Sequence, residues 1–265
     1  MRIPLIAANW KMNKTVGETL SFAGSFLSEI QSLLDAETHW PEILICPPFT
    51  SIPALSSIVA SRPVSVGAQD VYWQAKGAFT GEVSPLMLRD LGCTYVIVGH
   101  SERRHIIGEG GDLIRKKVRA ALDAGLKPVL CVGETLEERE QGDALKVNAE
   151  MTKEGLSDVS AAEIPSVVIA YEPVWAIGTG KEARPDDAVE VIREIRGTID
   201  GMFGEGVSAD ARVLYGGSVK PGNIRSFMLR EEIDGALVGG ASLDPVEFAK
   251  LTFEVLKARP KPSAI

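Results

Sequence analysis

Eight short runs of apolar, largely β-branched residues recur along the chain, at 3–8, 42–46, 64–69, 94–98, 128–132, 167–170, 212–215 and 236–238. Runs of this length, without polar alternation, suit strands that are buried on both faces. Between them the apolar period changes. Ala23, Phe26, Leu27, Ile30, Leu33 and Leu34, and likewise Val189, Ile192, Ile195 and Ile199, fall at the three-to-four spacing of helices that bury one stripe. Helix starts are marked as well: Thr15 with Glu18 forms a capping-box pattern, and Asp244 precedes Pro245 at a first turn. Strand and helix alternating in this way predict parallel strands, because parallel neighbours need a crossover and a helix supplies it. Eight such units favour closure, so the expected fold is α/β: a (β/α)8 barrel, eight parallel strands surrounded by helices, forming a single domain over residues 1–265. An open doubly wound sheet would carry a glycine-rich turn directly after its first strand. That position reads Asn9-Trp10-Lys11-Met12-Asn13 instead, and no linker rich in Pro, Gly or Ser divides the chain. The tail at 257–265 is expected to fray.

Charge and composition narrow the functions. A formal net charge of −8 with no clustered basic patch argues against a nucleic-acid partner. An anionic substrate would therefore have to be met locally, by a few placed cations and main-chain NH groups. The N-terminal apolar run is interrupted at Asn9 and Lys11, too early for a secretion signal, and no stretch approaches the roughly eighteen apolar residues of a membrane span. A cytoplasmic protein without membrane attachment is expected. Cys46, Cys93 and Cys131 are odd in number and widely spaced, which predicts reduced, mostly buried thiols in place of a disulfide framework or zinc site. Cys131 ends the fifth run, near the expected site, and packing is its expected role.

In a barrel of this kind functional groups sit at the carboxyl ends of the strands. Asn9 and Lys11 follow the first run, His100 the fourth and Glu172 the sixth. Asn9 and Lys11 are two apart, so in extended chain both would point to one side. Each residue has an ordinary explanation: a solvated lysine, a satisfied core histidine, a helix-capping glutamate. Structural roles do not require all of them on one rim. Three glycine turns also follow strands, Gly178-Thr179-Gly180, Tyr215-Gly216-Gly217-Ser218 and Val238-Gly239-Gly240-Ala241, and two of these follow the last two strands, where such barrels bind phosphate. The stretch from Gly178 to Ala183 fits the dinucleotide fingerprint, yet residues 173–177 intervene after the strand and Asp200 lies in a predicted helix. No nicotinamide cofactor is expected. His39, His100 and His105 lack metal-ligand spacing, so no metal is expected either.

These motifs, Ala8-Asn9-Trp10-Lys11-Met12-Asn13, Val98-Gly99-His100-Ser101-Glu102-Arg103-Arg104, Ala170-Tyr171-Glu172-Pro173-Val174-Trp175 continuing through Gly178-Thr179-Gly180, Tyr215-Gly216-Gly217-Ser218 and Leu237-Val238-Gly239-Gly240, occur in that order, and through them the sequence resembles the triosephosphate isomerase family nearly end to end. The resemblance implies a TIM barrel and an aldose-ketose isomerase acting on triose phosphates through an enediolate. Glu172 would be the base, and His100 the electrophile beside the carbonyl. Triosephosphate isomerases are themselves the standard example of a catalytic imidazole kept neutral by a helix N-terminus, which here would begin near Ser101. Lys11 would meet phosphate and developing oxyanion, Asn9 would orient substrate, and Glu102 would sit beside the lysine. Phosphate would rest on NH groups of Gly178, Ser218, Gly239 and Gly240. Residues 173–183 would form a lid, and residues 67–85 the loop by which two copies pair. Departures from the family pattern are extra length around 34–41 and at the tail, and Glu182 at the second lid hinge. Other readings are another phosphate-binding (β/α)8 enzyme, such as a lyase or synthase, which would not need Lys11, His100 and Glu172 together, and a non-catalytic sugar-phosphate-binding protein, which would tolerate loss of the base.

Overall fold

A computed structural model describes residues 2–35, 41–177 and 183–260. The eight apolar runs form β1 (Leu5–Asn9), β2 (Glu42–Cys46), β3 (Val64–Ala68), β4 (Tyr95–Val98), β5 (Lys127–Val132), β6 (Val168–Tyr171), β7 (Arg212–Tyr215) and β8 (Gly235–Val238). Every neighbouring pair is parallel, and β8 returns to β1 with Leu5 opposite Gly235 and Ala8 opposite Val238, closing the barrel.

Because successive strand residues point to opposite faces, each strand serves two cores at once. Leu5, Ala7, Leu44, Cys46, Tyr95, Ile97, Val129 and Cys131 point inward, joined by Val168, Ala170, Leu214 and Leu237, and fill the barrel. The alternate residues, such as Ile6, Ile45, Val96, Leu130 and Ile169, face outward into a second core shared with the helices. This explains why the runs lack polar alternation. The barrel interior is packed side chain, not a channel, so the site can form only at its rim.

The periodic stripes form helices, including Val16–Glu29 and Pro185–Phe203, with Phe22, Ala23 and Phe26 of the first buried; the first stripe is broken at Ile30, and its end falls in a separate short helix, Gln31–Asp35. Thr15 and Glu18 exchange both hydrogen bonds of the capping box, and Asp244 accepts from the amides of Val246 and Glu247. The last helix, Pro245–Ala258, holds Lys257 and Ala258 in regular structure, so the tail expected to fray is helical at its start. At the amino-terminal end of the barrel, Tyr95 donates to Glu42 at 2.6 Å, while Arg212 donates to Glu42 at 2.6 Å and to the Tyr95 oxygen at 2.7 Å. This closes the end opposite the glycine turns with mutually satisfied polar groups.

Candidate active site

At the carboxyl ends of the strands lies a cavity of about 310 Å³ lined by Asn9, Lys11, His100, Glu172, the Gly216–Ser218 turn and the Gly239–Gly240 turn. The residues singled out from five separate strand ends therefore meet in one place. Gly178 lies outside the described residues, as do the rest of the second lid hinge with Glu182 and the insertion around residue 38.

Asn9 and Lys11 reach the cavity by a route different from the one expected. The chain is not extended there: Lys11 has φ of +53°, uncommon for a residue with a side chain. Backbone strain of this kind persists only where the surroundings over-determine it. Here Asn9 Oδ1 accepts from the Lys11 amide at 3.0 Å, and Gln69 donates through Nε2 to the Lys11 carbonyl and to the Cys46 carbonyl, each at 2.9 Å. Between them, buried Trp10 donates through its indole to the Ser242 carbonyl at 3.1 Å, tying the end of β1 to the segment after β8. Gln69 was not singled out in the sequence. Its place at the end of the third apolar run was the available signal. The Lys11 ammonium pairs with Glu102 at 2.6 Å; Glu102 flanks the lysine and is not among the residues lining the cavity.

His100 and Glu172 are both nearly fully buried, and the imidazole Nε2 lies 2.9 Å from Glu172 Oε1. The second carboxylate oxygen accepts from the Ser101 amide at 3.0 Å. On the far side of the ring, Nδ1 accepts from the Glu102 amide at 3.2 Å, which leaves no room there for a proton and puts the ring proton on Nε2. Burial opposes charge on this imidazole, but the carboxylates of Glu172 and Glu102 outweigh it and raise the His100 pKa, with Lys11 opposing them. The His100 pKa thus runs opposite to the lowering expected from the helix start alone. The Nδ1 geometry agrees with the expected neutral tautomer. Since the main raising cause is Glu172, it is chiefly that carboxylate's proximity that holds the His100 pKa up against burial. Burial also works against the Glu172 carboxylate. His100, the Ser101 amide and Lys11 overcome it and hold the group below its ordinary value, so it is ionised at neutral pH.

One further residue shapes this corner. A side chain on Gly133 would stand 1.7 Å from the Glu172 carbonyl oxygen, so only glycine lets β6 carry Glu172 this close to the segment after β5. The three cysteines are buried and unpaired, as expected, and burial pushes the Cys131 thiol up, which favours an unreactive thiol. Among the described residues no cluster of three or more His, Cys, Asp or Glu could hold a metal ion, and no helix is long and apolar enough to cross a membrane.

The arrangement offers an ionised carboxylate, an N–H donor and a cation around a space the size of a small molecule, beside two glycine turns. Comparison with known proteins agrees with it. The family model for triosephosphate isomerase matches residues 4–255. The triosephosphate isomerase of Roseiflexus sp. is 50% identical over 251 residues, covering 95% of this chain and 97% of that protein. That of Dictyoglomus turgidum is 49% identical over 248 residues, covering 94% and 98%. A crystal structure of triosephosphate isomerase from Bartonella henselae superposes with a TM-score of 0.84 at 38% identity, covering 95% of this chain and 98% of that one. Matches of that length, on a closed eight-stranded barrel with these residues at its rim, mean that the chain belongs to the triosephosphate isomerase family.

Proposed function

We propose that the chain interconverts dihydroxyacetone phosphate and D-glyceraldehyde 3-phosphate by carrying one proton between adjacent carbons. The observation that carries this reading is the 2.9 Å approach of Glu172 to His100 in a cavity that also holds Lys11 and two glycine turns. Glu172 removes the proton from the carbon beside the carbonyl. The electron pair of the broken C–H bond moves into the enediolate, leaving negative charge on the former carbonyl oxygen. His100 donates its Nε2 proton as a hydrogen bond to that oxygen, and Lys11 opposes the developing charge. The adjacent hydroxyl passes its proton by way of His100 to the former carbonyl oxygen, the negative charge moves to the other oxygen, and Glu172 returns the carbon-bound proton to the neighbouring carbon as the new carbonyl forms, so atoms and electrons balance without a co-reactant. Asn9 orients the substrate, and Glu102 holds the Lys11 ammonium until the substrate's charge competes for it.

Ser218, Gly239 and Gly240 offer main-chain NH groups to the phosphate, joined by Gly178, and this is how a chain of net charge −8 accommodates an anion. Residues 173–183 act as a lid that excludes water. Two copies pair through residues 67–85, a reading supported by the exposure of Phe79 in that segment, at 38%. A cytosolic setting suits the three unpaired thiols.

The test is a coupled assay of glyceraldehyde 3-phosphate conversion with wild type and Glu172→Gln side by side. A base contributes about a hundred- to ten-thousandfold, so kcat in the variant falls by that amount while a phosphate-bearing inhibitor still binds. Absence of turnover in folded wild type refutes the isomerase.

A further inference from the structure

His100 and Glu172 stand on β4 and β6, with β5 between them. Backbone pairing holds β6 to β5 right up to the base: Val132 lies opposite Tyr171, and the Glu172 amide donates to the Val132 carbonyl at 2.7 Å. On the other side the pairing stops two residues before the histidine. The β4–β5 ladder ends at Val98 opposite Leu130, and Gly99 then turns the chain away with φ of +70°. The next pair in register would be Gly99 and Cys131. Arg104 fills that gap by folding back from the segment after β4. Its Nε donates to the Gly99 carbonyl at 2.7 Å, and its Nη2 donates to the Cys131 carbonyl at 2.8 Å. The fit is tight, since a side chain on Gly99 would meet Nη2 at 2.9 Å.

We propose that Arg104 is a positioning residue whose planar fork replaces the missing rung between β4 and β5 and so sets the distance from His100 to Glu172. The inference deepens the isomerase reading above and rests on it for its kinetic test. A lysine cannot substitute, because one compact ammonium does not span two carbonyls in a fixed plane. Arg104 has no carboxylate ion partner among the described residues. Burial works to lower its pKa, while Cys131, Glu172, Glu154 and Glu109 face its charge. A guanidinium stays charged there, and its field supports the ionised Glu172, which also faces His100, Lys11 and the Cys131 thiol.

The experiment compares wild type, Arg104→Met and Arg104→Lys in the full chain, each checked for folding by circular dichroism. In Arg104→Met, kcat falls about a hundredfold, as expected for a displacement near 1 Å, while KM stays within about threefold. The acid limb of kcat/KM moves to higher pH, because removal of a cation makes Glu172 easier to protonate. In Arg104→Lys the limb returns toward wild type but kcat stays low. The chain has only 3 histidines, so the His100 Nε2 proton can be followed by NMR without substrate. That resonance shifts in both variants, whether or not the wild type proves to be an isomerase. A folded Arg104→Met with wild-type kcat, an unmoved acid limb, an unmoved His100 resonance, or full rescue by lysine overturns the proposal. If the methionine variant does not fold, Arg104→Lys decides: reduced kcat at unchanged KM supports the fork, and wild-type kcat overturns it.

Discussion

Individual residues in this site are placed by neighbours that do no chemistry. Lys11 occupies a left-handed backbone conformation because Asn9 takes its amide and Gln69 takes its carbonyl. Glu172 can lie against His100 because position 133 has no side chain. Adding one methyl group there creates a 1.7 Å clash with backbone, which no rotamer change relieves. Gly133→Ala therefore displaces Glu172, the proposed base: kcat is expected to drop about a hundredfold while a phosphate-bearing competitive inhibitor binds with little change. A variant with wild-type kcat would show that the segment after β5 yields without moving Glu172. The electrostatics follow from the same contacts. His100 and Glu172 shift each other toward the charged pair, whereas the Glu102 amide donating to Nδ1 fits the neutral tautomer protonated at Nε2.

Elements are held in register by side chains that finish what the ladders leave open. Before β6 the short helical turn Ala161–Ser166 is capped by Glu163, which accepts from the Ser160 amide at 2.9 Å and hydroxyl at 2.7 Å and from Arg119 of the helix Gly111–Asp123 at 2.6 Å. The Arg119 guanidinium first, and the Ser160 donors second, hold the Glu163 carboxyl down to about 2 from its ordinary 4.5. A depressed folded pKa means that its stabilising contribution is complete above the ordinary value and is lost as pH falls toward the folded one. Glu163→Gln accordingly lowers Tm at pH 7, and the gap from wild type narrows between pH 4.5 and 2. A gap independent of pH in thermal scans would mean that the charge at this cap contributes nothing. Surface exposure of Arg119 and Glu163 keeps the effect small, on the scale of exposed pairs.

At the scale of the whole molecule the two barrel ends divide the work. The amino-terminal end is closed by Tyr95, Glu42 and Arg212, all satisfied by one another, and the carboxyl-terminal end keeps the cavity. Apolar side chains remain outside both cores: Met12 beside Lys11, Phe79 and Leu86 in or beside the expected pairing loop, and Ile106 and Ile107 in the segment after His100. Met12 adjoins Lys11 in sequence, so one of these exposed apolar side chains stands beside the site. Sedimentation at micromolar concentration is expected to give the mass of two chains, and Phe79→Asp to shift it toward one chain with loss of activity. A fully active single chain at assay concentration would sink the pairing.

The fold was legible because its periods are set locally. A strand buried on both faces must be apolar throughout, a helix covering a barrel must be apolar on one stripe, and eight alternations leave closure as the favoured arrangement, so Glu42–Cys46 and Arg212–Tyr215 could be bounded to the residue. The site was legible to the extent that strand ends mark a rim, which brought out Asn9, Lys11, His100 and Glu172. Distance between strands is not encoded in any local pattern. Only the closed barrel shows that Arg104 reaches Cys131, that Gln69 seats Lys11, and that Gly133 makes room for Glu172. These contacts join residues far apart in the chain, and they exist only because the tertiary structure brings the strand ends of one rim within hydrogen-bonding or van der Waals reach.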